Sequence, residues 1–368
     1  MRILVSGAFN SAFEALPEYL MAALRRLGHE VVAFDHRAFL LPGRLRARSP
    51  VLDRLDRAAL NRRFLMAVRR LRPGLVLVNQ GMVLTRATIA GARALGARCV
   101  NWFSDYPMEF EEGLERAQAY DAFFLGASYA ARRHVEAGHA HSMWLPFACD
   151  PEVHHPRAQK SLRDRPASKD RVVFVGSCYP ERQILLRFLR GLPVGIWGPG
   201  WESRAKSDPH LAPMLRGGAL RPSDWRALYQ SADVALNIHY GTFGPLEVSG
   251  DLANTRLFEI FGCGAFQVVD RQGDVLRLFR DGEEFRGFSS GDELRAVVET
   301  ALRDEDRRRA VAANGRRAVL AAHTYEQRAR ILLDPTASGF PVRDLPNDAS
   351  GARPAGLAAV TGARGATR

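Results

Sequence analysis

The chain has 368 residues, 46% of them hydrophobic, with 52 basic against 40 acidic residues and a formal charge of +12. That length and apolar content exclude a small disulfide-stapled chain and a largely disordered one, and they allow two globular domains. Cys99, Cys149, Cys178 and Cys263 are widely spaced with no CxxC pair, which argues against a disulfide framework or zinc site and for a reduced, cytoplasmic setting. No apolar run approaches the roughly 18 residues of a membrane span, and RILVSG at the start reads as a strand rather than a signal peptide.

Ile3–Ser6 reads as a strand, residues 7–11 as a turn, Leu16–Leu27 as a helix stopped by Gly28, and Glu30–Asp35 as a second strand. This is a βαβ opening, with its loop at the strand's carboxyl end. Of the dinucleotide fingerprint G-x-G-x-x-G only Gly7 is present, so Asp35 reads as a loop or cap residue rather than a ribose ligand. Residues 37–72 are rich in arginine, with Asp53 and Asp56 as the only acids. Leu60, Phe64, Leu65, Val68 and Leu71 recur there with helical period. The stretch therefore predicts an amphipathic helix with a solvated basic face, and its alternative use is contact with an anionic lipid surface or acceptor. Its arginines come with few aromatics, which argues against nucleic acid.

Leu75–Asn79 and Arg98–Phe103 read as strands, with a helix over Thr88–Leu95 between them. Ligands of an open parallel sheet bind beyond the strands' carboxyl ends. Asn79, Gln80, Ser104 and Asp105 therefore share one crevice by position, and Asp105 is the candidate general base. It also reads as a turn residue before proline. Ala122–Leu125 and Ser142–Leu145 are further strands around a helix over Tyr129–Ala137, with Ser128 as its cap. His154 and His155, adjacent among prolines, read as linker, and the polar, basic 158–170 as the domain boundary.

The second half repeats the design. Strands are predicted at Arg171–Val175, Val194–Trp197, Val234–Ile238 and Ala265–Val269. Gly176-Ser177 turns after the first of them, and Arg182 opens the helix that follows, placed to meet an anion. His239 ends the third strand and reads as a donor contact or a structural histidine. In Asp251–Asp270 (DLANTRLFEIFGCGAFQVVD), Asn254 suits an N-cap, Leu257, Ile260 and Phe261 form one apolar stripe, and Gly262 and Gly264 end the helix. Arg256 supplies a forked cation near the helix start, and Glu259 a carboxylate for sugar or ribose hydroxyls. The same pair also reads as a solvated helix contact worth roughly 0.2–0.5 kcal/mol. Helices follow over Asp292–Leu302 and Glu305–Ala322, then from His323 to Leu333. Beyond Asp334 the Ala/Gly/Pro/Arg-rich tail reads as disordered.

On VVFVGSCYPER, ADVALNIHY, the NTR–FE–CG core, HTYEQRA and WFSDYP, the chain resembles the CgeB-like branch of glycosyltransferases over most of residues 1–334. The resemblance implies an α/β GT-B fold, two Rossmann-like domains facing across a cleft. Residues 1–157 would form the acceptor side, 158–334 the nucleotide-sugar domain and 335–368 the tail. It implies a hexosyltransferase-type transfer from a nucleotide-sugar donor to an unidentified glycan, lipid or small-molecule acceptor, with no other cofactor and no metal.

Gly176 and Arg182 match positions near the diphosphate. Glu259 matches the second of two glutamates that many retaining GT-B enzymes carry seven residues apart, the one that contacts the ribose. The first position is here Asp251, one methylene shorter. The donor set expected is Gly176, Ser177, Arg182, His239, Asp251, Asn254, Thr255, Arg256 and Glu259. Asp105, Arg182 and Arg256 are the catalytic set, with the diphosphate stabilised by helix N-termini and basic side chains. Other readings left open are a nucleotide-sugar epimerase on the same fold and a non-catalytic nucleotide-sugar-binding or spore- or envelope-associated protein.

Overall fold

The computed structural model describes residues 1–9, 15–104, 110–156, 170–240 and 251–336. It contains two parallel six-stranded sheets. In the first, β1 (Arg2–Gly7), β2 (Glu30–Asp35), β3 (Leu75–Asn79), β4 (Arg98–Phe103), β5 (Ala122–Leu125) and β6 (Ser142–Trp144) lie in the order β2-β1-β3-β4-β5-β6. In the second, β7 (Val172–Val175), β8 (Val194–Trp197), β9 (Leu215–Gly217), β10 (Val234–Asn237), β11 (Gln267–Asp270) and β12 (Arg286–Phe288) lie in the order β12-β11-β10-β7-β8-β9.

Every residue of β3, β5, β7, β10 and β11 is buried, as parallel strands covered on both faces must be. Both sheets are doubly wound. Their strand order reverses between β1 and β3 and between β10 and β7, and the carboxyl ends at such a point are where a ligand binds.

Each strand anticipated from the sequence is present. β9 and β12 were not anticipated, because three residues are too few to show a period. One expected helix cap moves: Ser128 lies inside its helix, with Ala127 at the N-cap position.

The chain forms two units, each drawing on separated stretches of the sequence. Among the described residues, the first unit holds the chain up to Val153, Ala253–Phe258 and the stretch from Val319; the second holds His154–Leu252 and Glu259–Ala318. The helix Tyr325–Leu333 follows the second unit in sequence but is built into the first. Tyr325, Ala329 and Leu332 are fully buried there with Ile3, Leu20, Leu77 and Trp102. The readings placed on Asp105, on most of the 158–170 boundary and on the tail beyond 336 lie outside the described residues.

The first unit also buries histidines in neutral form. His36, 6% exposed and 3.3 Å from the Ser6 hydroxyl, has its pKa lowered to about 4 by burial, which outweighs the raising effect of the Asp35 charge. His134, fully buried against the Ser142 hydroxyl, is lowered to about 4 by burial and by His139 and His141. Each pKa is below the unfolded value. The unfolded chain therefore takes up protons first as pH falls from about 6.5 towards 4, and stability falls by at most about 1.4 kcal/mol per pH unit for each histidine. Urea midpoints of the first unit should drop between pH 6.5 and 5, before carboxylates titrate. A flat profile across that window would contradict neutral burial.

Candidate functional site

In the second unit, the reversal of strand order brings the ends of β7 and β10 together. After β7 the chain turns at Gly176-Ser177 and enters the helix Pro180–Arg187. Arg182 in its first turn reaches across the reversal. Its Nη1 donates to the Ser177 carbonyl at 3.0 Å, and Nε and Nη2 donate to the Ile238 carbonyl at 3.0 and 2.7 Å. The guanidinium lies over the rings of Phe174 and Tyr179, and Tyr179 packs against Tyr240 with centroids 4.4 Å apart. A fixed cation beside a helix N-terminus is the arrangement that holds a phosphate. Glu181, buried in the same turn, offsets part of the helix-end potential, so Arg182 is the charge that matters there.

The floor of this corner is glycine backbone. The Gly176 N–H donates to Trp197 at 2.9 Å, and the Gly176 carbonyl accepts from the Trp201 indole at 2.8 Å. Gly198 has φ +144, and a Cβ there would sit 2.0 Å from the Gly176 carbonyl oxygen. Only glycine lets the loops after β7 and β8 approach this closely.

His239 is 1% exposed at the end of β10. Its backbone N–H and its Nδ1 both lie on one oxygen of Asp270, at 2.9 and 2.8 Å, while the Gln272 amide donates to the other at 2.6 Å. Burial would push the Asp270 carboxyl up, but the charge and hydrogen bonds of His239 and the Gln272 amide hold it below its ordinary value. A carboxylate only accepts, so Nδ1 carries the hydrogen and the imidazole is fixed in orientation. Asp270 and Gln272 went unremarked in the sequence. The one available signal was an acid closing the buried run QVVD.

Asp251 is buried and engaged. Its Oδ1 lies 2.7 Å from the Arg277 guanidinium, which also meets Asp274 at 3.1 Å. Burial would lower the Arg277 pKa, but the two carboxylates raise it overall. A Cβ on Gly273 would lie 2.0 Å from the same Asp251 oxygen, so the carboxylate rests directly on backbone. Glu259 lies elsewhere in the unit. It is 8% exposed, with Oε1 3.9 Å from Nε2 of the fully buried His154, which stacks on Trp225 at 5.7 Å. His154 is thus an interior residue and not a linker position, whereas His155 is exposed.

The helix predicted after Asn254 forms as Thr255–Gly262. The Asn254 side chain caps it, accepting from the Leu257 N–H at 3.0 Å, and Leu257, Ile260 and Phe261 are fully buried. Gly264, at φ +72, follows its end. Asn254, Thr255 and Arg256 belong to the stretch that groups with the first unit, and Glu259 to the second. The structure therefore brings Gly176, Ser177, Arg182 and His239 to one corner. Asp251 joins through Gly273, the neighbour of Gln272, and Glu259 sits with His154. In the first unit, Asn79 donates to the Trp102 carbonyl at 3.0 Å and lies 3.5 Å from the Ser104 hydroxyl, while Gln80 holds φ +60. Among the described residues no three His, Cys, Asp or Glu side chains are grouped to hold a metal ion.

A family model described as glycosyl transferase-like matches residues 182–334. No curated protein matches the sequence. Among solved structures, Anabaena HepE in complex with UDP and glucose is similar, at 14% identity and TM-score 0.63, covering 91% of this chain and 99% of its own. The sucrose-phosphate synthase of Thermosynechococcus elongatus is similar at 11% identity and TM-score 0.65, covering 91% and 98%. A glycosyltransferase of Rickettsia africae is similar at 11% and 0.61, covering 91% and 97%. The chain thus has the GT-B fold of two Rossmann-like α/β units, and its residues 182–334 carry a glycosyl transferase-like sequence.

Proposed function

We propose that the protein is a glycosyltransferase of the hexosyltransferase type, CgeB-like, that takes a nucleotide-sugar donor on its second unit and passes the sugar to an acceptor. The observation that carries this reading is the corner at the strand-order reversal, where Arg182 joins the ends of β7 and β10 beside the Gly176-Ser177 turn and the His239–Asp270 pair. The match over residues 182–334 begins at Arg182 itself. In this reading Gly176, Ser177 and Arg182 hold the diphosphate at the N-terminus of the helix Pro180–Arg187, and Glu259 receives the ribose. His239 contacts the donor from the end of β10. Asp251 shapes the sugar side through its pairing with Arg277. Departure of the nucleoside diphosphate is helped by this fixed cation and helix dipole, without a metal. Asp105 remains the proposed base for an inverting course. HepE's complexes with UDP and UDP-glucose make uridine donors the first to try. Four buried free thiols favour a reduced, cytoplasmic setting.

The test is a thermal-shift screen against UDP-, GDP-, dTDP- and ADP-sugars, with and without EDTA, followed by donor turnover. A donor at a hundredfold excess over its dissociation constant stabilises the folded state by about 2.7 kcal/mol. One nucleotide class should raise the melting temperature, unaffected by EDTA. Glu259→Gln should weaken that donor by about 1–2 kcal/mol with the fold retained. No shift with any donor in a folded sample would instead favour a non-catalytic protein.

A further inference from the structure

Residues 37–72 hold eleven arginines against two aspartates, a net +9 of the chain's +12. Both aspartates are spent internally. Asp56, 3% exposed, accepts the backbone N–H groups of Leu40 and Leu41 at 2.9 and 3.0 Å. Asp53 pairs with Arg46 at 3.1 Å and Arg57 at 2.6 Å. These bonds join the loop before residue 43, the helix Gly43–Arg48 and the start of the helix Pro50–Leu71 into one piece of the first unit. The long helix buries Leu60, Phe64 and Val68 on its inner side.

Its outer side is not simply polar. Val51 is 66% exposed, Leu55 61% and Met66 61%, beside Leu40 at 65% and Leu45 at 41%. Val51, Leu55, Arg62, Met66 and Arg69 fall on one stripe at helical spacing. Among the described residues, Arg44, Arg48, Arg54, Arg62 and Arg69 are in no hydrogen bond or ion pair, so the charge faces outward.

Exposed aliphatics set singly in a surface need no explanation, but this group stands inside a field of cations. A second copy of the chain is a poor occupant, because it would press two strongly positive faces together. Single-stranded nucleic acid would use stacking aromatics, yet Phe64 is buried and Phe39 lies under Arg46. Shallow aliphatic side chains among unpaired arginines match an anionic bilayer, whose headgroups take the charge and whose acyl boundary takes the aliphatics. We propose that this face seats the first unit on an anionic lipid surface. The inference is independent of what the second unit binds.

The test is co-sedimentation of the full chain with vesicles of phosphatidylcholine alone or mixed with phosphatidylglycerol, at physiological salt. The protein should pellet with the mixed vesicles and stay in solution with the neutral ones. Val51→Ser with Leu55→Ser, and separately Arg54→Gln with Arg62→Gln, should each weaken binding about tenfold or more, with unchanged melting temperature because all four positions are exposed. Absence of pelleting with anionic vesicles would overturn the proposal. So would full binding by the serine pair, and competition by a single-stranded oligonucleotide would then identify the face as a nucleic-acid footprint.

Discussion

Arg182→Ala should lower donor turnover by about 10²- to 10³-fold, the usual cost of removing one preorganised charge from a developing anion. The geometry gives the reason. Arg182 is the cation whose donors join the Ser177 and Ile238 carbonyls, so its removal takes away a positive charge and also loosens the corner that holds the Gly176-Ser177 turn. Arg182→Lys separates the two contributions. Lysine keeps the charge but lacks the planar fork that meets two carbonyls at once, so it should recover only part of the turnover. The measurement is kcat and KM for the donor found by thermal shift, alongside the melting temperature. A folded Arg182→Ala protein with kcat within about threefold of the parent would remove Arg182 from the catalytic set and take the main support from the proposed chemistry.

Arg328→Met should be the most damaging single change to the first unit, at about 3–5 kcal/mol. Arg328 is fully buried in the helix Tyr325–Leu333. Its guanidinium donates to the carbonyls of Pro146 at 2.7 Å, Phe147 at 3.1 Å and Ala322 at 3.1 Å, and meets His323 Nδ1 at 2.7 Å. Burial pushes its pKa down to about 9, which leaves it charged at neutral pH. The same charge, after burial itself, keeps His323 well below its ordinary value, so the ring accepts from the guanidinium. Methionine fills the space but leaves these acceptors buried and unpaired. Calorimetry should show the melting temperature falling by about 10 °C. A loss below about 1 kcal/mol would mean that the acceptors find other partners, and would end this account of how the terminal helix is held.

Much of the fold was legible because it is local. The apolar runs of β3, β5, β7 and β10, the cap at Asn254 and the stripe Leu257, Ile260 and Phe261 depend on residues a few positions apart, where periodicity and capping chemistry act. That Gly176, Ser177, Arg182 and His239 lie near one another was legible by a similar route, since strand ends in a doubly wound sheet converge at the reversal of order. What the sequence withheld was decided by partners far along the chain. Asp251 meets Arg277 26 residues on, His239 meets Asp270 31 residues on, and Arg328 meets Pro146 182 residues back. No spacing rule encodes such pairs. They form because a buried carboxylate or guanidinium must find its counterpart once the sheets have closed around it. The sequence by itself determined two doubly wound sheets and a basic first unit, for their signals are periodic and compositional. The tertiary structure decided that Glu259 lies beside His154, that the last helix returns to the first unit, and that the arginine-rich face also shows aliphatic side chains. Burial is a property of the folded surface and not of the order of residues.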